Sequence, residues 1–123
     1  MKVVRADERL STPGTKSSGA SGLDLTWWQG PTTNDELDVG IAQVDAGART
    51  PPHTHHKGQV IVTVSGTGFI ELEGERIETS AGDVVICPAG EHHVHGAAGD
   101  GQWVHLTITT GTHGGPAPSD RLD

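Results

Sequence analysis

The chain has one cysteine, one phenylalanine, one methionine and no tyrosine among its 123 residues, and the scarcity of cysteine removes a class of protein. A single Cys87 cannot close an internal disulfide, so no cross-linked secreted framework is encoded. Basic residues are scarce too. Eight Lys and Arg face sixteen Asp and Glu, for a formal charge of −8. A surface with that balance repels phosphate, which argues against nucleic acid and anionic membranes as partners. No apolar run approaches the roughly 18 residues of a membrane span. No charged-then-apolar leader follows Met1, and the expected location is the cytoplasm. No window keeps an apolar period of 3.6, so little or no helix is expected.

What is abundant is glycine, with 18 residues, set between short β-branched runs. Strands are expected at residues 2–6, 23–29, 36–46, 59–65, 67–73, 76–79, 83–87, 92–96 and 103–110. A hairpin is expected around Gly74-Glu75, and residues 11–22 read as a loop. Many short strands between Gly and Pro turns make an all-β sandwich or barrel. One domain over residues 1–112, with a tail at 113–123, accounts for the length. Alternation then assigns faces. Gln59, Ile61 and Thr63 share one side of their strand, as do His105, Thr107 and Thr109, and Gly40, Ala42 and Val44. This inner row is small and polar, which suits a pocket. The opposite row (Leu37, Val39, Ile41, Val60, Val62, Val64, Val104, Leu106, Ile108) is apolar, and a second subunit in a homodimer is the expected cover.

Histidine is concentrated in two places, Pro51-Pro52-His53-Thr54-His55-His56-Lys57-Gly58-Gln59 and Pro88-Ala89-Gly90-Glu91-His92-His93-Val94-His95. Residues i and i+2 of a strand point the same way, so His53 and His55 can converge on one ion, with Gln59 as a neutral donor four residues on. The second cluster can close the cage. His56 follows His55 and faces away by the same alternation, while His113 falls in the tail. His95 shares the face of His93 and enters the pocket or its rim, as an acid/base group, a hydrogen-bond partner or a structural imidazole. His105 reads either as a pocket group or as a satisfied barrel histidine. Cys87, before Pro88, reads as a small buried residue. Trp27, Trp28 and Trp103 read as core or interface residues.

The spacing Gly47-x5-His53-x-His55-x3-Gln59-x6-Gly66, followed by Gly82-x5-Pro88-x-Gly90-x2-His93, resembles the two signature motifs of the cupin superfamily. The resemblance implies a small metal-holding β-barrel, a jelly-roll-like double-stranded β-helix. It puts the metal ligands on His53, His55, Gln59 and His93, so that His92 points outward. Gln59 stands where the first motif usually has Glu, and Ala97 where the second usually ends in Asn. Trp27-Trp28-Gln29-Gly30, Gly47-Ala48-Arg49-Thr50, His95-Gly96-Ala97-Ala98 and His105-Leu106 extend the likeness to the manganese-dependent cupin-type hydroxynitrile lyases. That closer resemblance implies that His95 and His105 assist the chemistry, and that Gly40, Ala42 and Thr109 line the substrate space. Thr109 departs from the lyase pattern, which has Gln there.

Three imidazoles and an amide oxygen put no negative charge on an ion, so Gln59 leaves it more electrophilic than a carboxylate would. That favours Lewis-acid over redox chemistry and leaves two positions of an octahedral ion for substrate. Manganese or iron fits such a set best; zinc or nickel could load instead. Three functions are compatible with these residues. The first is a lyase acting on a cyanohydrin or similar hydroxy or carbonyl compound, the second a metal-dependent dioxygenase, the third a non-catalytic metal-containing small-molecule binder.

Overall fold

The computed structural model describes residues 1–5, 22–30, 36–55 and 57–110. The expected loop at 11–21, the tail at 113–123, His56 and His113 lie outside the described residues. The strands are β1 (Leu23–Gln29), β2 (Leu37–Val44), β3 (Gln59–Ser65), β4 (Thr67–Leu72), β5 (Glu75–Ser80), β6 (Val84–Cys87), β7 (Val94–Ala97) and β8 (Trp103–Thr110). They form two antiparallel sheets, one in the order β1-β2-β8-β3-β6 and the other β5-β4-β7. The described residues contain no helix, and so none long and apolar enough to cross a membrane.

The expected strand at residues 2–6 does not form within 1–5. Two valines between Lys2 and Arg5 offer too little apolar surface to hold an edge pairing. Val3 is exposed, and Val4 lies with Lys2 around a surface hollow beside Trp28, Gln29, Leu37 and Val39. The β4–β5 hairpin also turns one residue earlier than expected. Leu72 pairs with Glu75, so the loop is Glu73-Gly74, both at positive φ (50° and 83°). Two left-handed residues match the right-handed twist of the flanking strands.

Register across the larger sheet sets the interior in rows. Asp38, Thr109, Gln59 and Cys87 are successive partners across β2, β8, β3 and β6. One step deeper come Trp27, Gly40, Thr107, Ile61 and Val85, then Leu25, Ala42, His105 and Thr63. Leu23, Val44 and Trp103 close the far end. All of these inward residues except Val85 are buried. The first row is polar and the last apolar, so one end of the barrel is built for chemistry and the other for packing.

Trp27 and Trp103 carry much of that packing. Both are fully buried, and each ring removes about 200 Å² from water, worth on the order of 5 kcal/mol as an upper figure. Trp103 reaches across to the smaller sheet, where a Cβ on Gly68 would lie 2.1 Å from its ring. Its Nε1–H donates to Thr63 Oγ1 at 3.0 Å, so the indole is also satisfied. Trp27 lies over Gly40 in the same way, 2.7 Å from a Cβ placed there. On the outside of the larger sheet, Val64, Val84 and Ile86 are exposed, and Val62, Leu106 and Ile108 only half-buried. Outward positions of β2, β8, β3 and β6 carry no charged side chain.

Gly68→Ala should therefore cost at least about 1–3 kcal/mol through overpacking against Trp103. Urea unfolding of the variant beside the parent measures this, and an unchanged midpoint would show that the two sheets are not locked through that contact.

Candidate metal centre

Two irregular segments build the site, and backbone pairing joins them. Ala97 N–H donates to Ala48 O at 3.0 Å, and Thr50 N–H to His95 O at 2.8 Å. His53 and His93 then exchange both hydrogen bonds, at 3.0 and 2.9 Å. Between the bridges Arg49–Gly96 and His53–His93 the first segment advances four residues and the second three. The extra residue falls at Pro51-Pro52, where no N–H exists to be lost from a ladder. His55 O accepts from both Gly58 N and Gly90 N at 3.1 Å, tying the two clusters again at their far ends. The turn 88–91 closes by Glu91 N–H to Pro88 O at 3.2 Å, with Gly90 at φ 77° in the position that a type II turn reserves for glycine.

This frame brings His53, His55 and His93 together, with one ligand nitrogen of each within 4.8 Å of the others. Ring centroids are 5.1 Å apart for His53 and His55, and 4.6 Å for His53 and His93. Tautomers are set from outside. His53 Nδ1–H donates to Pro51 O at 2.8 Å and His93 Nδ1–H to Glu91 O at 3.1 Å, which leaves each lone pair on Nε2. Gln59 enters from β3, and its Nε2 donates to Thr107 Oγ1 at 2.7 Å. Gln59 Oε1 and His93 Nε2 are buried and have no hydrogen-bond partner among the described residues. A buried acceptor left unpaired costs on the order of 1–3 kcal/mol. An unpaired His93 Nε2 within a cluster of imidazoles is the arrangement expected around a cation, and the unpaired Gln59 Oε1 is a donor of a type that a divalent ion accepts.

Electrostatics agree with that use. Burial, reinforced by the neighbouring His53 charge, pushes His93 down from 6.5 to about 4. It therefore stays neutral, as a ligand must.

His95 and His105 stand next to the cluster. The His95 ring lies 4.9 Å from His53, 5.6 Å from His93 and 5.7 Å from His105. Its backbone N–H donates to Thr50 Oγ1 at 3.1 Å, and its Nδ1 is buried without a partner among the described residues. Burial, and then the charges of His53, His105, His93 and His55, hold its pKa well below the ordinary value. The His105 ring centroid lies 4.2 Å from that of Trp103 at a tilt of 37°, and the ring gives Nδ1–H to Leu106 O at 3.1 Å, which puts a lone pair without a partner among the described residues on Nε2. Burial carries it down to about 4, with the Leu106 bond opposing. Both are neutral imidazoles able to accept a proton.

Of the other residues expected in the pocket, Ala42, Ile61, Thr107 and Thr109 are buried on the inward face. Gly40 lies under the Trp27 ring, and Val44 sits in the apolar end row beside Leu23 and Trp103. His92 is exposed. Burial and the Glu91 charge raise the Cys87 thiol to about 11, so on its own it is no nucleophile. Among the described residues, four buried polar ones were not anticipated: Asp38, Thr50, Thr54 and Thr79. Alternation along β2 would have turned Asp38 inward with Gly40 and Ala42. Thr50 and Thr54 flank the proline pair, where the bulge breaks the period and leaves no pattern to read.

The sequence matches the family described as Cupin domain over residues 40–109. It is 37% identical over 105 residues to an (R)-mandelonitrile lyase of Granulicella tundricola, covering 77% of this chain and 79% of that enzyme. A 5-nitrosalicylic acid 1,2-dioxygenase of a Bradyrhizobium species is 33% identical over 64 residues, which are 52% of this chain but 31% of the dioxygenase. Among solved structures, a cupin-like protein of Thermotoga maritima superposes with a TM-score of 0.69 at 32% identity, covering 84% of this chain and 81% of that one.

The depressed His105 makes stability depend on pH. The unfolded chain takes up this proton through 6.5, whereas the folded protein refuses it until about 4. Stability is thus full above 6.5 and falls by about 1.4 kcal/mol per pH unit as the pH drops through that window, then levels off. Denaturant titrations across the window should show a shallower loss for His105→Gln than for the parent. Parallel curves would mean that His105 is protonated as easily folded as unfolded.

Proposed function

The chain belongs to the cupin superfamily, and we propose that it is a metal-dependent lyase acting on a cyanohydrin or a similar hydroxy or carbonyl compound. The observation that carries this reading is the pairing of an uncharged donor set, His53, His55, His93 and Gln59, with two buried neutral histidines beside it. The likeness to an (R)-mandelonitrile lyase across most of both chains supports it independently.

Manganese or iron is the proposed ion, since both accept nitrogen and oxygen donors in octahedral sites. When bound, such an ion acts as a Lewis acid toward a hydroxyl or carbonyl oxygen of the substrate. The remaining work falls to the chain. His95, next to the ligand cluster, accepts the substrate hydroxyl proton through a neutral ring nitrogen. As the carbon–carbon bond breaks, its electron pair leaves with cyanide, and His95 or His105 returns the proton to it. Thr107 holds the Gln59 amide so that its oxygen, not its nitrogen, is presented. Ala42, Ile61 and Thr109 bound the space for the substrate, and the buried Thr109 Oγ1, without a partner among the described residues, offers it a hydrogen bond. Cyanide release from mandelonitrile at equal rates in air and under nitrogen is expected. Oxygen uptake with a ring-cleavage substrate would instead favour a dioxygenase, the activity of relatives that match over a minor part of their own length.

The second proposal concerns assembly. The outer face formed by β2, β8, β3 and β6 carries no charged side chain, and a second copy of the chain in an isologous dimer would bury it.

His53→Ala should abolish manganese loading. His95→Ala should keep the ion yet slow turnover on the order of 10²-fold. Metal analysis and steady-state rates separate the two, and full manganese in the first variant would refute the ligand assignment. Light scattering should give twice the chain mass, and Leu106→Lys should halve it; a monomeric parent protein would end the dimer proposal.

A further inference from the structure

Among the described residues, a second group of metal-binding donors shares only His93 with the set already described. Cys87, Glu91 and His93 place a thiol sulfur, a carboxylate oxygen and a ring nitrogen within 4.8 Å of one another. The type II turn at 88–91 accounts for the arrangement, because it folds Glu91 back beside the residue that ends β6. Cys87 faces the interior as the register partner of Gln59, and His93 is almost wholly buried, its Nε2 without a partner among the described residues.

We propose that Cys87, Glu91 and His93 form a second ion site, selective for zinc and similar thiophilic ions, which competes with the first site for His93. The clause about competition rests on the ligand set proposed above; the site itself does not. A neutral imidazole has one lone pair to give, so His93 can serve one ion at a time whichever nitrogen is used. The two donor sets differ in kind. The first offers nitrogen and amide oxygen with no charge. The second offers thiolate and carboxylate, whose two negative charges neutralise a divalent ion in a buried setting. Sulfur, nitrogen and carboxylate donors are typical of zinc, with bonds of about 2.0–2.3 Å. Such bonds put tetrahedral donors about 3.3–3.7 Å apart, so side-chain rotation closes the observed spacing. Binding replaces the Cys87 S–H bond by a sulfur–metal bond and releases one proton to solvent, with no oxidation or reduction. Zinc therefore withdraws His93 from the first site and displaces manganese.

Cobalt(II) reports thiolate ligation through a near-ultraviolet charge-transfer band, and it tests the site without any assay of turnover. In His53→Ala, which retains Cys87, Glu91 and His93, one equivalent of cobalt should give that band with release of one proton, and manganese should not bind. Cys87→Ser should lack the band and bind zinc at least tenfold more weakly in the same background. Zinc added to the manganese-loaded parent should expel manganese mole for mole. Absence of the band from both the parent and His53→Ala, or unchanged zinc affinity in Cys87→Ser, overturns the proposal. Should His53→Ala fail to fold, His55→Ala supplies the same test. A band in His53→Ala with no manganese bound by the parent would sink the first ligand set and leave this one standing. Manganese bound by the parent with no band anywhere would do the reverse.

Discussion

The site depends on one backbone contact, the reciprocal pair of hydrogen bonds between His53 and His93. These residues are forty positions apart, and neither lies in a named strand. Two short amide bonds fix their Cα atoms opposite one another, and the side chains then have little choice but to converge. The Pro51-Pro52 bulge matters for the same reason. It supplies the one extra residue that lets both the Arg49–Gly96 and His53–His93 bridges form, and proline loses no ladder bond by being there. Carbonyls at Pro51 and Glu91 then hold the Nδ1–H groups and turn the basic nitrogens inward.

Around this frame the barrel works by desolvation. Burial keeps His93, His95 and His105 neutral where free imidazoles would begin to take up protons. A neutral ring is both a ligand and a base, so one physical effect prepares the groups proposed for binding and those proposed for catalysis. Trp103 connects this to the packing. Its ring fills the gap above Gly68, packs at a tilt against His105, and is itself anchored by Thr63. The apolar end of the barrel thereby holds the polar end in shape.

Much of this was legible in the sequence. Period-two alternation predicted the inward faces of β2, β3 and β8, because one residue of slip would turn every apolar group to the wrong side. The His and Gly spacing pointed to the histidines that the fold brings together, His53, His55 and His93. Less was legible where the chain departs from regular geometry. The valines of residues 3 and 4 look like a strand, yet pairing depends on a neighbour that local composition does not reveal. Thr50, which clamps the His95 backbone, and Thr54 adjoin a bulge whose extra residue removes the alternation that would have identified them. Gly40 reads as a pocket residue from its face alone, but Trp27 covers it.

By itself, then, the sequence determined an all-β chain with two histidine clusters, an inner and an outer row, and an uncharged fourth donor at Gln59. Those are local properties, set by side-chain type and a two-residue period. Only the tertiary structure decided that Cys87 and Glu91 stand within reach of His93, that His105 has its lone pair on Nε2, and that the barrel divides into polar and packed ends. Each of these rests on register between strands distant in sequence. Register is a balance of long-range pairing and burial that no single segment encodes.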